Sequence, residues 1–177
     1  HLLITGCVTT SPPMTTEEIS KLVYQAFLEA GYSKEWSPHP QELSIEFDLR
    51  LEELDDDLRN LRSISDDQAI CIGYANSDTK NNHLPIAHRI CYLASQKIRE
   101  LREEYDLGPD AKVIVTCENE EVERISLSLQ HKSMTSKKKL YQLAHIVAQS
   151  VGITDSNRVF VNGGGDFDVG GPHGDNG

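Results

Sequence analysis

The chain has 177 residues, 38% hydrophobic and 25% charged, enough for one sizeable core or two small units of an ordinary globular protein. Its formal charge of −11 argues against sequence-independent nucleic-acid binding, which is driven by phosphate neutralisation. No apolar run approaches the length that crosses a bilayer, so no membrane role is expected.

Taken in order, Leu2 to Gly6 reads as a short buried strand, followed by a turn-rich Thr9-Thr10-Ser11-Pro12-Pro13. Thr15 and Glu18 stand at capping-box spacing, and Ile19, Leu22, Val23, Ala26, Phe27 and Ala30 recur on one helical face until Gly31. Residues 34–41 make a loop, and Leu43, Ile45, Phe47 and Leu49 alternate at the strand period. Residues 50–65 are acidic and weakly patterned, a short helix or a loop. Ile70 and Ile72 predict another strand, ending at Gly73-Tyr74.

Pro85 opens a second helix with the face Ile86, Ile90, Leu93, Ala94 and Leu101, and Gly108-Pro109 is its expected stop. Val113 to Cys117 and Ile125 to Leu129 predict a hairpin across the turn Glu118 to Glu121. A third amphipathic helix is expected from about Ser136 to Val151, stopped by Gly152. Strand, turn, glycine-terminated helix and strand thus occur twice, over Leu2 to Leu49 and Ile125 to Val161. The repetition predicts an α+β protein of repeated strand-helix-strand subdomains, helices packed on one face of mixed sheets. Residues 1–65 would be the remainder of one subdomain with its loop, and residues 66–177 a second, ending in a glycine-rich ligand loop.

The four cysteines, Cys7, Cys71, Cys91 and Cys117, form no CxxC pair and sit in apolar segments. They read as buried free thiols in a reducing, cytoplasmic setting. The opening His1-Leu2-Leu3-Ile4 lacks an initiator methionine and resembles the middle of a longer polypeptide.

Chemistry concentrates in a few segments. Seven of the twelve glycines lie in Val161 to Gly177, interleaved with Asp166, Phe167, Asp168 and Asp175. A backbone accepts that entropy cost where it must turn sharply or lie against a ligand; the alternative is a low-complexity tail. Phe167 can stack on a base, and Asp175 can pair with an ammonium or hydroxyl. In Gly108 to Lys112, Asp110 can accept hydrogen bonds from a ribose and Lys112 can offer a compact charge to phosphate, or both can be solvated connector charges. Asp66-Asp67-Gln68 can orient a charged substrate or simply form a polar turn. His131, ending Ser128-Leu129-Gln130-His131, reads as a satisfied structural histidine. Lys132, Lys137, Lys138 and Lys139 read as a solvated helix start, an anion site being the alternative. No spacing suggests metal ligands.

In this order, the segments resemble S-adenosylmethionine synthetases (methionine adenosyltransferases). Asp67-Gln68 with Ile72-Gly73-Tyr74-Ala75 resembles the family's GDQG segment and the following strand. Leu84-Pro85 to Ala87-His88-Arg89 resembles its next helix. Pro109-Asp110-Ala111-Lys112 matches its PDAK, Ser128 to His131 resembles its STQH, and Asn162 to Gly177 resembles its INPTGRFVIGGPxGDxG.

The resemblance implies an enzyme that joins ATP and methionine, releasing phosphate and diphosphate, with Mg2+ and K+ held by segments outside this chain. It also implies a homodimer or dimer of dimers built from α+β subdomains. Lys112 and Asp175 would be the catalytic residues. Asp67, Asp110, Ala111, Lys112, Asp166, Phe167 and Asp175 would line the ATP and methionine pocket, with Phe167 on adenine and Asp175 on the methionine ammonium. Some positions depart from the family pattern. Cys7 stands at the glutamate of GEIT, Leu54 to Leu58 in place of QSPDI, Ala69 at the last glycine of GDQG, and Asp166 at the arginine before the adenine-stacking phenylalanine. HPDK has no counterpart, and GRK and KDxxKVD would follow Gly177, where the chain reads as cut. A homologue with altered chemistry, acting as a nucleotide-binding or subunit-pairing module, and a purely structural α+β domain are the other expectations.

Overall fold

A computed structural model describes residues 1–53, 70–119, 121–171 and 174. The chain divides into two compact units, His1–Ile72 and Gly73–Gly177.

In the first unit, β1 (Leu2–Thr10) and β2 (Ile45–Glu53) pair in parallel from Leu2↔Ile45 to Thr10↔Glu53, joined through helix α1 (Thr16–Ala30). The Thr15 hydroxyl accepts from the Glu18 N–H, and the Glu18 carboxylate accepts from the Thr15 N–H at 2.8 Å, the reciprocal box anticipated above. At the other end Gly31, at φ 102°, donates to Leu28 O while Tyr32 donates to Phe27 O. A left-handed residue closes the last turn in this way, and Gly has no Cβ to resist it. Pairing with β2 carries β1 through Thr9-Thr10, past the expected strand end at Gly6. None of the α1 residues is buried, and Leu22 is 55% exposed.

The second unit holds the core. Helix α2 (Ile86–Leu101) leads to β3 (Leu107–Glu118), which pairs antiparallel with β4 (Glu121–His131). Helix α3 (Lys137–Ser150), with Ser136 as its N-cap, then brings the chain back to β5 (Val159–Val161), parallel to β4. The sheet order is β3-β4-β5. Ile125, Leu127 and Leu129 of β4 are buried with Ile90, Ala94 and Ile98 of α2 and with Leu140, Leu143, Ala144 and Val147 of α3. Both helices therefore lie on one face of a mixed sheet. The other face leaves Ile114 55% and Phe160 46% exposed. The two strand-helix-strand passages, β1-α1-β2 and β4-α3-β5, both place their strands in parallel.

Three expectations are corrected. Residues 70–72 form no strand, and Ile70 and Ile72 are 84% and 94% exposed. An apolar pair makes a strand only when a neighbour accepts its ladder, which periodicity does not reveal. Helix α2 ends at Leu101, followed by turns over residues 102–106, so Gly108-Pro109 opens β3 instead of stopping the helix. Pro109 is tolerated because β3 is an edge strand with an irregular register between Leu107 and Ala111. The thiols are not uniformly buried. Cys7 and Cys71 are exposed, while Cys91 and Cys117 are partly covered. Burial pushes both of the latter thiols up; for Cys117 the neighbouring Cys91 adds a smaller push. Both are kept from the nucleophilic thiolate form.

Candidate functional site

The start of β3, the end of β4 and the loop after β5 meet at one end of the second unit's sheet, as the pairs Leu107↔His131 and Leu127↔Val161 require. Two amides hold this corner. Buried Gln130 accepts from the Asp110 N–H at 3.1 Å and donates through Nε2 to Asp168 O at 3.1 Å. Asn162, at φ 45°, accepts from Leu129 N–H at 2.9 Å and donates to Leu129 O at 3.0 Å. Its side chain behaves as one more peptide unit of the ladder. The loop is pinned again where His131 N–H donates to Phe167 O at 2.8 Å and Gly171 N–H donates to the Asp110 carboxylate at 2.7 Å. The segment through Gly171 is therefore an ordered loop.

The glycines have a steric reason at three points, one of them Gly174, where a Cβ would sit 2.8 Å from Val169 O. A Cβ on Gly108 would collide with the Gln130 amide, and one on Gly170 would sit 2.8 Å from Asp110 Cβ and 2.9 Å from Gln130 Cδ. Close approach of the backbone to these two side chains is what keeps the corner shut.

His131 is buried, with Nδ1 3.1 Å from Asn162 Nδ2 and 2.9 Å from Leu129 O. Its Nε2 lies 3.8 Å from Asp166 Oδ1. Nδ1 donates to Leu129 O in one tautomer and accepts from Asn162 Nδ2 in the other, and in the second Nε2–H faces the carboxylate.

These elements enclose a cleft of about 500 Å3, lined by Asp110, Lys112, Ser128, Asn162, Gly164, Gly165, Asp166, Phe167, Val169 and Gly174. Of the residues singled out in the sequence, Asp110, Lys112, Asp166 and Phe167 come together here. Ala111 is exposed on β3 opposite Leu129 and does not line the cleft. Asp67 and Asp175 lie outside the described residues. Phe167 is half-buried, and Lys112 makes no ion pair among the described residues. A smaller cavity of about 200 Å3 adjoins it, bounded by His131, Lys137 and Tyr141 and sharing Asn162, Gly165 and Asp166 with the cleft. Gln130 and Asn162 were inside segments the sequence flagged, yet nothing local distinguished them as the loop's anchors.

Among the described residues no three His, Cys, Asp or Glu side chains converge. They do not by themselves supply the oxygen-rich shell a magnesium ion takes.

Residues 62–167 match the family described as S-adenosylmethionine synthetase, central domain. This chain belongs to the S-adenosylmethionine synthetase family. It is 30% identical over 198 residues to the S-adenosylmethionine synthase of Acholeplasma laidlawii, covering 98% of this chain and 50% of that protein. Against the S-adenosylmethionine synthase of Mesoplasma florum it is 28% identical over 197 residues, covering 100% of this chain and 51% of that protein. The chain thus spans about half the length of the curated relatives it matches. Its fold is that of an unusual S-adenosylmethionine synthetase of solved structure from Campylobacter jejuni, with a TM-score of 0.69 at 19% identity over 93% of this chain and 47% of that one.

Proposed function

We propose that this chain is part of a methionine adenosyltransferase, forming S-adenosylmethionine from ATP and methionine. The observation that carries the reading is the cleft that joins Asp110 and Lys112 of β3 to Phe167 of the glycine loop, in a chain of this family. Adenine lies on the Phe167 ring, Asp110 serves the pocket's polar side, and the family resemblance adds Asp67 as a ligand contact. Asp175 holds the methionine ammonium. The methionine sulfur lone pair attacks C5′ of ATP, the C5′–O bond breaks, and triphosphate leaves with the bonding electrons. Water then splits it into phosphate and diphosphate. Such a displacement asks for alignment of the sulfur with C5′ and for positive charge facing the departing oxygens, and Lys112, whose ammonium has no ion pair among the described residues, supplies that charge. Mg2+ and K+, expected from the family, would neutralise phosphate charge when bound, with ligands beyond the described residues.

Residues 1–65 are read as the remainder of an N-terminal subdomain and 66–177 as the central one. The partner is a second copy of the protein, as a homodimer or dimer of dimers. Support comes from the uncovered sheet face, where Ile114, Ser126 and Phe160 lie in one cross-strand row. Among the described residues no helix is long and apolar enough to cross a membrane.

The test is to incubate the full-length protein with ATP, methionine, Mg2+ and K+ and to read S-adenosylmethionine and phosphate. Lys112→Ala is expected to lower product formation at least tenfold; an unchanged rate removes Lys112 from the active site. A second reading, a homologue that binds nucleotide without turning it over, is favoured by the Asp166 carboxylate on the cleft wall. Binding of ATP with no product from the intact protein would decide for it.

A further inference from the structure

We infer that Asp166 makes one wall of the cleft selective for the positive charge of a ligand, so that the site holds an adenosyl sulfonium more tightly than its uncharged thioether analogue. The inference rests on the adenosyl reading above and adds a specificity-determining residue to it. Against Asp110 and Asp166 the described lining of the cleft offers one cation, Lys112. Asp110 already accepts from the Gly171 N–H at 2.7 Å. Asp166 is the freer carboxylate, its side chain 68% exposed.

Its place is set from inside the fold. His131 Nε2, on a side chain 2% exposed, stands 3.8 Å from Asp166 Oδ1, and the same residue's backbone N–H holds Phe167 O at 2.8 Å. The backbone bond fixes the loop at Phe167, and Asp166, its neighbour in the chain, lines the same cleft. The carboxylate attracts a cation through its charge, while the ring face is taken by adenine. A sulfonium has no N–H or O–H to donate from the charged atom, so charge is the feature by which this wall can recognise it. Polyphosphate is repelled by the same carboxylate, which places the phosphate-bearing part of ATP away from Asp166 and toward Lys112.

The experiment is calorimetric titration of the full-length protein with S-adenosylmethionine and, separately, with S-adenosylhomocysteine, the thioether of the same shape. The wild type is expected to favour the sulfonium at least fivefold at low salt, with the ratio narrowing as salt screens the pair. Asp166→Asn brings the ratio within twofold while thioether affinity holds, which also shows that the fold is intact. Asp166→Glu restores part of the preference. Asp168→Asn removes a carboxylate of the same loop that does not line the cleft, and it keeps the wild-type ratio. Equal affinities in the wild type, or a preference that survives Asp166→Asn, would overturn the role of Asp166 and leave the adenosyl reading standing. Binding of neither compound would overturn both.

Discussion

Gln130 and Asn162 share a chemistry: a primary amide offers a donor and an acceptor at the reach of a peptide group, so it can satisfy backbone atoms where strand pairing ends. Gln130 spends its amide on Asp110 N–H and Asp168 O, joining β3 to the glycine loop. Gln130→Leu keeps the volume and removes both bonds, leaving polar backbone groups unpaired in a largely closed corner. A loss of about 1–3 kcal/mol is expected, read by denaturant melts, with adenosyl ligand binding weakened in parallel. If binding stays at the wild-type level, the clamp is not what shapes the cleft. Asp110, Lys112 and Phe167 were legible because each sits in a short motif with an obvious chemical use. The clamps were not. Their partners lie 20, 33 and 38 residues away, beyond the range of any spacing rule.

At the scale of elements, the helices were read well because caps and periodicity are local. The Thr15 and Glu18 box has a pH consequence. The Glu18 carboxyl is held below its ordinary 4.5, first by the bond from the Thr15 backbone and then by the Thr15 hydroxyl. Because the folded value is the lower one, the stabilisation is present above the unfolded value and is lost as pH falls through the folded one. Amide exchange at the first turn of α1 is expected to quicken about fivefold in Thr15→Ala near neutral pH, the usual effect of losing an N-cap. The wild type should approach the variant as the pH drops below that of a free glutamate. Exchange that ignores both changes would mean the box does not hold the helix start. The misread elements, Ile70-Ile72 and Gly108-Pro109, share a cause. Apolar or helix-breaking residues were read in isolation, whereas a strand exists only through its neighbour. Gly108 and Pro109 belong to β3 because β4 pairs with that strand from Leu107↔His131 onward.

For the whole molecule, the division of burial is the main physical fact. The second unit has a continuous core between one sheet face and two helices, while α1 of the first unit buries no residue. The opposite sheet face, with Ile114 and Phe160 exposed and the Arg124 guanidinium 5.6 Å from the centre of the Phe160 ring, is where the proposed second copy would rest. Phe160→Asp is expected to shift the full-length protein from dimer to monomer in light scattering, with a melting temperature close to the wild type because the side chain is not part of the core. An unchanged mass would move the subunit interface elsewhere.

The sequence alone determined the three helices, the stops of α1 and α3, the β3-β4 hairpin, the repeated strand-helix-strand order and, through its motifs, the family. These depend on interactions within a few residues, which a one-dimensional pattern records. Only the tertiary structure decided that the glycine segment is an ordered loop through Gly171, that Asp166 stands against buried His131, and that Gly171 is tied to Asp110 61 residues earlier. Chain closure over such distances follows from packing and hydrogen-bond satisfaction across the whole unit. No local pattern encodes that.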